Sequence, residues 1–165
     1  MIYKDSEYID KVNKTYSKTF SKRQMLPDIL GERYTVKSDL SVLDYGSGKD
    51  AIGTQKLKRY FFDVTSYDIG ENFNSKYHDP DALDRTYDLI MVSNVINIQP
   101  DIDCVEKVLD EVRSRLSSTG MAYINYPKSP RKCDELTNAM LYNILTKMFE
   151  TVVYEMISGI YCVRK

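Results

Sequence analysis

The stretch Asp44-Tyr45-Gly46-Ser47-Gly48-Lys49-Asp50 is the part of this sequence best equipped for ligand chemistry. Two glycines separated by one residue allow a tight turn and let a ligand approach the main chain closely. Gly46, Gly48 and Ala51 fit the GxGxxG/A spacing of a dinucleotide loop, and Asp68 lies near the distance expected of a ribose-binding acid. Asp44 argues the other way. Two residues ahead of Gly46, its carboxylate would stand close to a pyrophosphate and repel it, whereas a ligand with a positive charge would be attracted. Each residue also has a plain structural use, the glycines in a strand-to-helix turn and Asp68 as a turn cap. Their occurrence together and in order favours a ligand site.

Other reactive side chains are sparse. His78 is the single histidine, and in a polar loop it is expected to face solvent. Cys104, Cys133 and Cys162 form no CxxC pair, so reduced structural thiols are expected and no metal site. Tyr126 follows a strand at the ligand-binding edge, but it is one of 14 tyrosines and so carries little signal alone. Charge is nearly balanced, 23 Lys and Arg against 24 Asp and Glu, so the chain lacks the basic surplus of a nonspecific nucleic-acid binder.

The elements that must position these residues follow from hydrophobic periodicity. LSVLDYG reads as a buried first strand, Ala51 to Tyr60 as the helix after it, and FFDVTSYD as a second strand ending at Asp68. Ile69 to Thr86 is polar, with at most a short strand or turn around Lys76 to Pro80. YDLIMVSNV is the next buried strand. Ile102, Val105, Val108, Leu109, Val112 and Leu116 give a clear helical period that Gly120 is expected to close. MAYINYP is a strand, Asp134 to Phe149 a helix, and TVVYEMI and GIYCVRK two strands joined by Ser158-Gly159. Alternation of strand and helix predicts a doubly wound, mostly parallel α/β sheet, and the closing strand pair must be antiparallel.

At the N-terminal end, Ile9, Val12, Tyr16 and Phe20 fall at helical spacing from Ser6 to about Met25, opposite Lys11, Lys14, Lys18 and Lys22. Pro27 should end that helix or bend it into a second short one stopping at Gly31. With 165 residues, 42% of them hydrophobic, one domain is expected. No apolar run approaches the ~18 residues of a membrane span, and MIYKDSEYIDKVNK lacks the apolar stretch of a secretory signal. A cytoplasmic protein without membrane attachment is the expectation.

The sequence resembles the class I S-adenosylmethionine-dependent methyltransferases from about Ser41 to the C-terminus. Their acidic-x-Gly-x-Gly loop matches Asp44, Gly46 and Gly48, their acid at the end of the second strand matches Asp68, and their fourth-strand signature resembles YDLIMVSNVIN. The resemblance implies a Rossmann-like sheet with an antiparallel C-terminal strand pair, residues 41–165; the two-faced pattern of the N-terminal helix, with no other sizeable element to cover the cleft, predicts that residues 1–34 form a helical lid with Tyr16 and Phe20 inward. The resemblance also implies S-adenosylmethionine as cofactor. Gly46, Ser47 and Gly48 would pack under its methionyl part, with Asp44 helping to bind the ammonium. Asp68 would accept from the ribose hydroxyls and Ile69 would pack on the adenine. Asp79 or Asp81 would receive the adenine amino group, Ala82 would offer its backbone N–H, and Ser93 and Asn94 would border the place where cofactor and acceptor meet. Asp50 stands where the family often has a third glycine, and it is expected to N-cap the next helix.

Missing motifs narrow the acceptor. Ser93-Asn94-Val95-Ile96 replaces the acidic or Asn residue with Pro-Pro-aromatic of amino-methylating DNA enzymes. Cys104 lies too far into a helix to serve as the nucleophile of a cytosine C5 enzyme, and the acid wanted by a ribose 2′-O enzyme is absent. A small-molecule acceptor is favoured; a nucleic acid or protein comes second, supported by the basic KSPRK segment alone. The competing reading is a non-catalytic cofactor-binding partner or regulatory protein. The catalytic base, if any, and the oligomeric state stay open.

Overall fold

The computed structural model describes residues 6–15, 36–127, 135–156 and 158–165. In chain order the elements are α1 (Ser6–Thr15), β1 (Ser38–Tyr45), α2 (Ile52–Leu57), β2 (Phe61–Tyr67), β3 (Tyr87–Val92), α3 (Ile102–Arg115), β4 (Leu116–Asn125), α4 (Asn138–Met148), β5 (Thr151–Glu155) and β6 (Ile160–Arg164). Single 3₁₀ turns lie at Gly70–Asn72, Ala82–Asp84 and Ile96–Ile98.

The six strands form one sheet in the order β2-β1-β3-β4-β6-β5. β1 pairs in parallel with β2 and β3, and β3 with β4. β6 runs antiparallel to both β4 and β5, as the short Ser158-Gly159 connection requires. Leu89 to Val92 are fully buried on both faces, which is why β3 reads as a continuous apolar run rather than an alternating one. On one face Leu43, Ile90 and Val92 pack with Val105, Val108, Leu109 and Val112 of α3 and with Leu141 and Leu145 of α4. On the other face Val42, Leu89 and Met91 pack with Leu57 of α2, Phe61 and Ile160. The sheet is doubly wound and mostly parallel, as expected.

α3 and α4 start on side-chain caps. Asp101 accepts from the Cys104 amide at 2.8 Å, and Thr137 accepts from the Met140 amide at 3.2 Å. Gly120 does not close α3; the helix passes directly into β4, and Gly120 lies inside that strand. A Cβ there would sit 2.8 Å from the Tyr87 carbonyl oxygen, so the glycine serves the close approach of β4 to β3.

No strand forms between Ile69 and Thr86, and among the described residues β2 is the sheet edge. Only its C-terminal end is covered by that segment, where the Asp79 amide donates to the Ser66 carbonyl at 3.1 Å and the Ser66 hydroxyl donates to the Tyr77 carbonyl. The N-terminal helix is described as far as Thr15, and Tyr16, Lys18, Phe20 and Lys22, like KSPRK, lie outside the described residues. Within α1 the buried residues are Tyr8 and Val12, packed with Cys104 and Ile69, while Lys11 and Lys14 are exposed. The Tyr8 hydroxyl donates to Gln99 Oε1 at 3.0 Å. None of the described helices is long and apolar enough to cross a membrane.

Candidate functional site

The sheet order reverses between β1 and β3. β1 leads on to β2 on one side while its other neighbour, β3, carries the chain away to β4, and the loops at the carboxyl ends of such strands flank a crevice suited to ligands. Here those loops are Gly46 to Asp50 after β1 and Ser93 to Val95 after β3. They touch: a Cβ on Gly46 would lie 2.4 Å from Val95 Cγ2.

The first loop is shaped by left-handed backbone. Gly46 and Gly48 have φ of 72° and 76°, a region in which a side chain is strained. The Gly46 and Ser47 amides both donate to the Tyr67 carbonyl, at 2.9 and 3.0 Å, which pins the loop to the end of β2. A Cβ on Gly48 would meet nothing within 4 Å, so this glycine borders open space. Asp50 does not cap α2. Ala51 holds the N-cap position with φ of 45° and no side-chain hydrogen bond, because the loop arrives left-handed and its Ala51 amide returns to the Gly48 carbonyl at 2.9 Å. Asp50 is exposed.

Two carboxylates underlie this loop. Asp44 is 1% exposed, and its Oδ2 accepts from Thr54 Oγ1 at 2.7 Å. Burial pushes its pKa up to about 7, helped by the charge of Asp68 and opposed by the Thr54 hydrogen bond. A buried carboxylate raised in this way favours a cationic ligand that would keep it ionised. Asp68, at the end of β2, accepts from the Gly48 amide through Oδ2 at 2.7 Å and from the Ile69 amide through Oδ1 at 2.8 Å. A carboxylate accepts up to about four hydrogen bonds, so these two do not by themselves exhaust it. Ile69 is half-buried between the core and α1.

The residues assigned to the adenine side lie on the turn that precedes β3. Asp79 Oδ1 accepts from the Asp81 amide at 2.9 Å, and Arg85 Nη2 stands 3.3 Å from Asp79 Oδ2. Ala82 is buried in the core, and its amide donates to the Asp79 carbonyl at 3.3 Å. Asp81 is exposed.

At the reaction end Ser93 is buried, and its hydroxyl has no hydrogen-bond partner among the described residues. Asn94 adopts φ of 60°; its amide donates to Asn125 Oδ1 at 2.6 Å, and Asn125 Nδ2 donates back to Asn94 Oδ1 at 2.9 Å. This closed pair ties the carboxyl ends of β3 and β4 together. Cys104 offers no nucleophile, since burial, reinforced by Asp101, pushes its thiol up to about 12. Among the described residues no cluster of three or more His, Cys, Asp or Glu could hold a metal ion.

Three residues of the site escaped the sequence reading. Thr54 lies on the inner face of α2, and nothing in its spacing marks it. Asn125 could have been noticed as a polar residue closing an apolar strand at the edge where β1 and β3 also end. His78, expected in solvent, is 3% exposed and bonded to the glycine loop.

The loop between β1 and α2, the acid at the end of β2 and the buried orphan hydroxyl after β3 together suit a polar ligand with a cationic group and paired hydroxyls. No curated protein matches the sequence. Among solved structures, magnesium protoporphyrin IX methyltransferase from Synechocystis PCC 6803 with bound S-adenosylhomocysteine is similar at a TM-score of 0.61 and 13% identity, over 99% of this chain and 96% of that one. The N-methyltransferase NodS from Bradyrhizobium japonicum WM9, also with S-adenosylhomocysteine, gives 0.59 and 15% over 96% and 97%. A TehB-like S-adenosylmethionine-dependent methyltransferase from Corynebacterium glutamicum gives 0.58 and 15% over 83% and 84%. These likenesses establish the fold. The family model described as a methyltransferase domain matches residues 6–158, nearly the whole chain, and the protein therefore belongs to that family, within the class I methyltransferases that use S-adenosylmethionine.

Proposed function

We propose that the loop from Asp44 to Gly48, with Asp68, holds S-adenosylmethionine, and that the acceptor of its methyl group is a small molecule. The observation that carries the cofactor site is the bond from the Gly48 amide to Asp68 Oδ2, which joins the two predicted cofactor positions into one wall beside the open space at Gly48. When bound, the cofactor supplies an electrophilic methyl group on a sulfonium. Asp44 lies buried beneath the loop as a carboxylate in search of a cation, which suits the methionyl ammonium. Asp68, placed by two backbone amides, presents acceptors suited to ribose hydroxyls. Ile69 lies next to it as the apolar support for a base, with Asp79, Asp81 and Ala82 on the neighbouring turn. Ser93, buried and without a partner among the described residues, gains one in a polar group of the ligand.

Methyl transfer is an in-line displacement in which the protein mainly positions the two reactants and excludes water. The packing of α1 on Ile69 and Cys104 supports a part for this helix in that enclosure, as a lid. The small-molecule acceptor is supported by the compactness of the described fold, which carries no inserted substrate module, and by magnesium protoporphyrin IX as the named acceptor of one structural neighbour.

Calorimetry with S-adenosylhomocysteine and with NAD tests the cofactor assignment. The former should bind and the latter should not; NAD binding in the absence of S-adenosylhomocysteine binding would overturn it. Consumption of labelled S-adenosylmethionine against a panel of amines, thiols, phenols, RNA and peptides tests the acceptor, and turnover confined to RNA or peptide would refute the small-molecule reading.

A further inference from the structure

His78 reaches the glycine loop from the segment that folds onto the end of β2. Its ring is buried, tilted against Phe73 with centroids 5.8 Å apart. Nδ1 lies 2.8 Å from the Asn74 amide, which can only donate, so Nδ1 is an unprotonated acceptor and the ring proton sits on Nε2. Nε2–H then faces two acceptors, Ser47 Oγ at 3.0 Å and the Gly48 carbonyl at 3.1 Å. The Ser47 hydroxyl passes its own proton on toward the Tyr67 carbonyl at 3.4 Å. The direction of the Nε2–H donor is thus set by the Asn74 amide.

The consequence is geometric. The Gly48 amide is held by Asp68, while the Gly48 carbonyl is held by His78 and by the Ala51 amide. The peptide planes on both sides of Gly48 are thereby fixed, although φ of 76° and an unfilled space beside it leave this residue little steric guidance of its own. The residue after His78 is tied to β2 through the Asp79 amide and the Ser66 carbonyl, so the ring is presented from an anchored backbone. With both nitrogens engaged and the ring out of solvent, His78 is unsuited to shuttling protons.

We propose that His78 is a positioning residue that locks the glycine loop in its cofactor-binding conformation, its Nε2–H holding the Ser47 hydroxyl and the carbonyl of the Gly48-Lys49 peptide. The proposal rests on the reading of this loop as the S-adenosylmethionine site. It assigns the single histidine to cofactor affinity rather than to the chemical step.

The test uses the untagged full chain and four variants: His78→Leu, His78→Gln, whose amide nitrogen can reproduce the Nε2 donor, Ser47→Ala, and the double variant His78→Leu, Ser47→Ala. S-adenosylhomocysteine affinity is measured by calorimetry and folding by thermal melting. His78→Leu is expected to raise the dissociation constant about tenfold, and His78→Gln to stay within about threefold of the wild type, in line with one hydrogen bond lost or kept. Combined with Ser47→Ala, the effect of His78→Leu should be less than additive, because both act on one bonded unit. The nitrogen spectrum of the wild type contains one histidine ring and should show the Nε2–H tautomer. If the wild type does not bind S-adenosylhomocysteine, the cofactor reading fails and takes this proposal with it. If the wild type binds and folded His78→Leu binds equally well, the cofactor reading stands and the latch is overturned. An Nδ1–H tautomer in the wild type, or equal losses in Gln and Leu, also overturns it. Should His78→Leu fail to fold, the Gln variant and the wild-type tautomer decide.

Discussion

Replacing Asp44 by Asn should strengthen the fold and weaken the function. In the folded chain burial raises the Asp44 pKa from 3.8 to about 7. Because the folded-state value lies above the unfolded one, the folded chain holds the proton to higher pH. The stability contributed by this group is full below about pH 4, is lost as pH rises from about 4 to about 7, and is level above that. Keeping the carboxylate ionised at pH 8 costs at most about 4 kcal/mol. Asn is nearly isosteric and can still accept from Thr54 Oγ1, but its second polar atom becomes a donor in place of an acceptor. Allowing about half the gain for that mismatch leaves about 2 kcal/mol. For a chain of this size that is a rise of about 4 to 8 °C in melting temperature at pH 8, shrinking toward zero near pH 4. S-adenosylhomocysteine affinity should fall about tenfold or more at pH 8, since a neutral amide replaces the partner of an ammonium. Wild-type affinity should itself weaken below about pH 7 as Asp44 takes up its proton, and the Asn variant should lack that dependence. Fluorimetric melts and calorimetry from pH 5 to pH 8 supply both readouts. A variant less stable than the wild type at pH 8, or one with unchanged affinity, refutes the reasoning.

Asp68→Ala should weaken S-adenosylhomocysteine binding by about 1.5 to 3 kcal/mol, tenfold or more, measured by calorimetry on a variant checked for folding; an unchanged constant would make Asp68 a loop cap only. Gly46→Ala should destabilise the fold by about 1 to 3 kcal/mol, because its methyl group meets Val95 Cγ2 at 2.4 Å on a left-handed backbone, and Val95→Ala should recover part of the loss in denaturant titrations. Gly48→Ala has no such clash, so its loss should appear more in cofactor affinity than in stability. Tyr8→Phe removes a buried hydrogen bond to Gln99 and should cost about 1 to 3 kcal/mol by chemical denaturation; the double variant Tyr8→Ala, Val12→Ala should in addition lower cofactor affinity if α1 helps to close the site.

What was legible in the sequence follows from what burial does to residue choice. β3 could be read because both its faces are covered and Leu89 to Val92 are accordingly all apolar. α3 could be read because one face meets the sheet, so Val105, Val108, Leu109 and Val112 recur at helical spacing. That Asp44, Gly46 and Gly48 stand beside Asp68 could be expected because each lies at the carboxyl end of β1 or β2. The remainder depends on contacts between distant segments. That Asn94 meets Asn125 is decided by the register of β3 on β4, in which Val92 lies opposite Ile124, and no local pattern encodes that register. Burial of His78 depends on how the Ile69 to Thr86 segment folds back onto β2 without forming a strand. Ala51 at the start of α2 was missed for a different reason: propensity favours Asp50 as a cap, but the left-handed path out of Gly48 leaves Ala51, not Asp50, where the helix begins.

The bare half of β2 carries a hazard of its own. Beyond the reach of Tyr77 and Asp79, the outer backbone edge from Phe61 to Thr65 has no further strand on it among the described residues, and Phe62 is 64% exposed there. An open parallel-sheet edge with an aromatic side chain invites the strand of another molecule, the usual first step in aggregation. Asp63 stands exposed on that edge, Lys37 places its ammonium 4.4 Å from the centre of the Phe62 ring, and Arg85 bonds the Thr65 hydroxyl. Incoming strands would have to bury or displace these charges. At the sheet margin self-association is thus opposed by single side chains, and a change such as Asp63→Val should increase association on concentration, read by light scattering against the wild type.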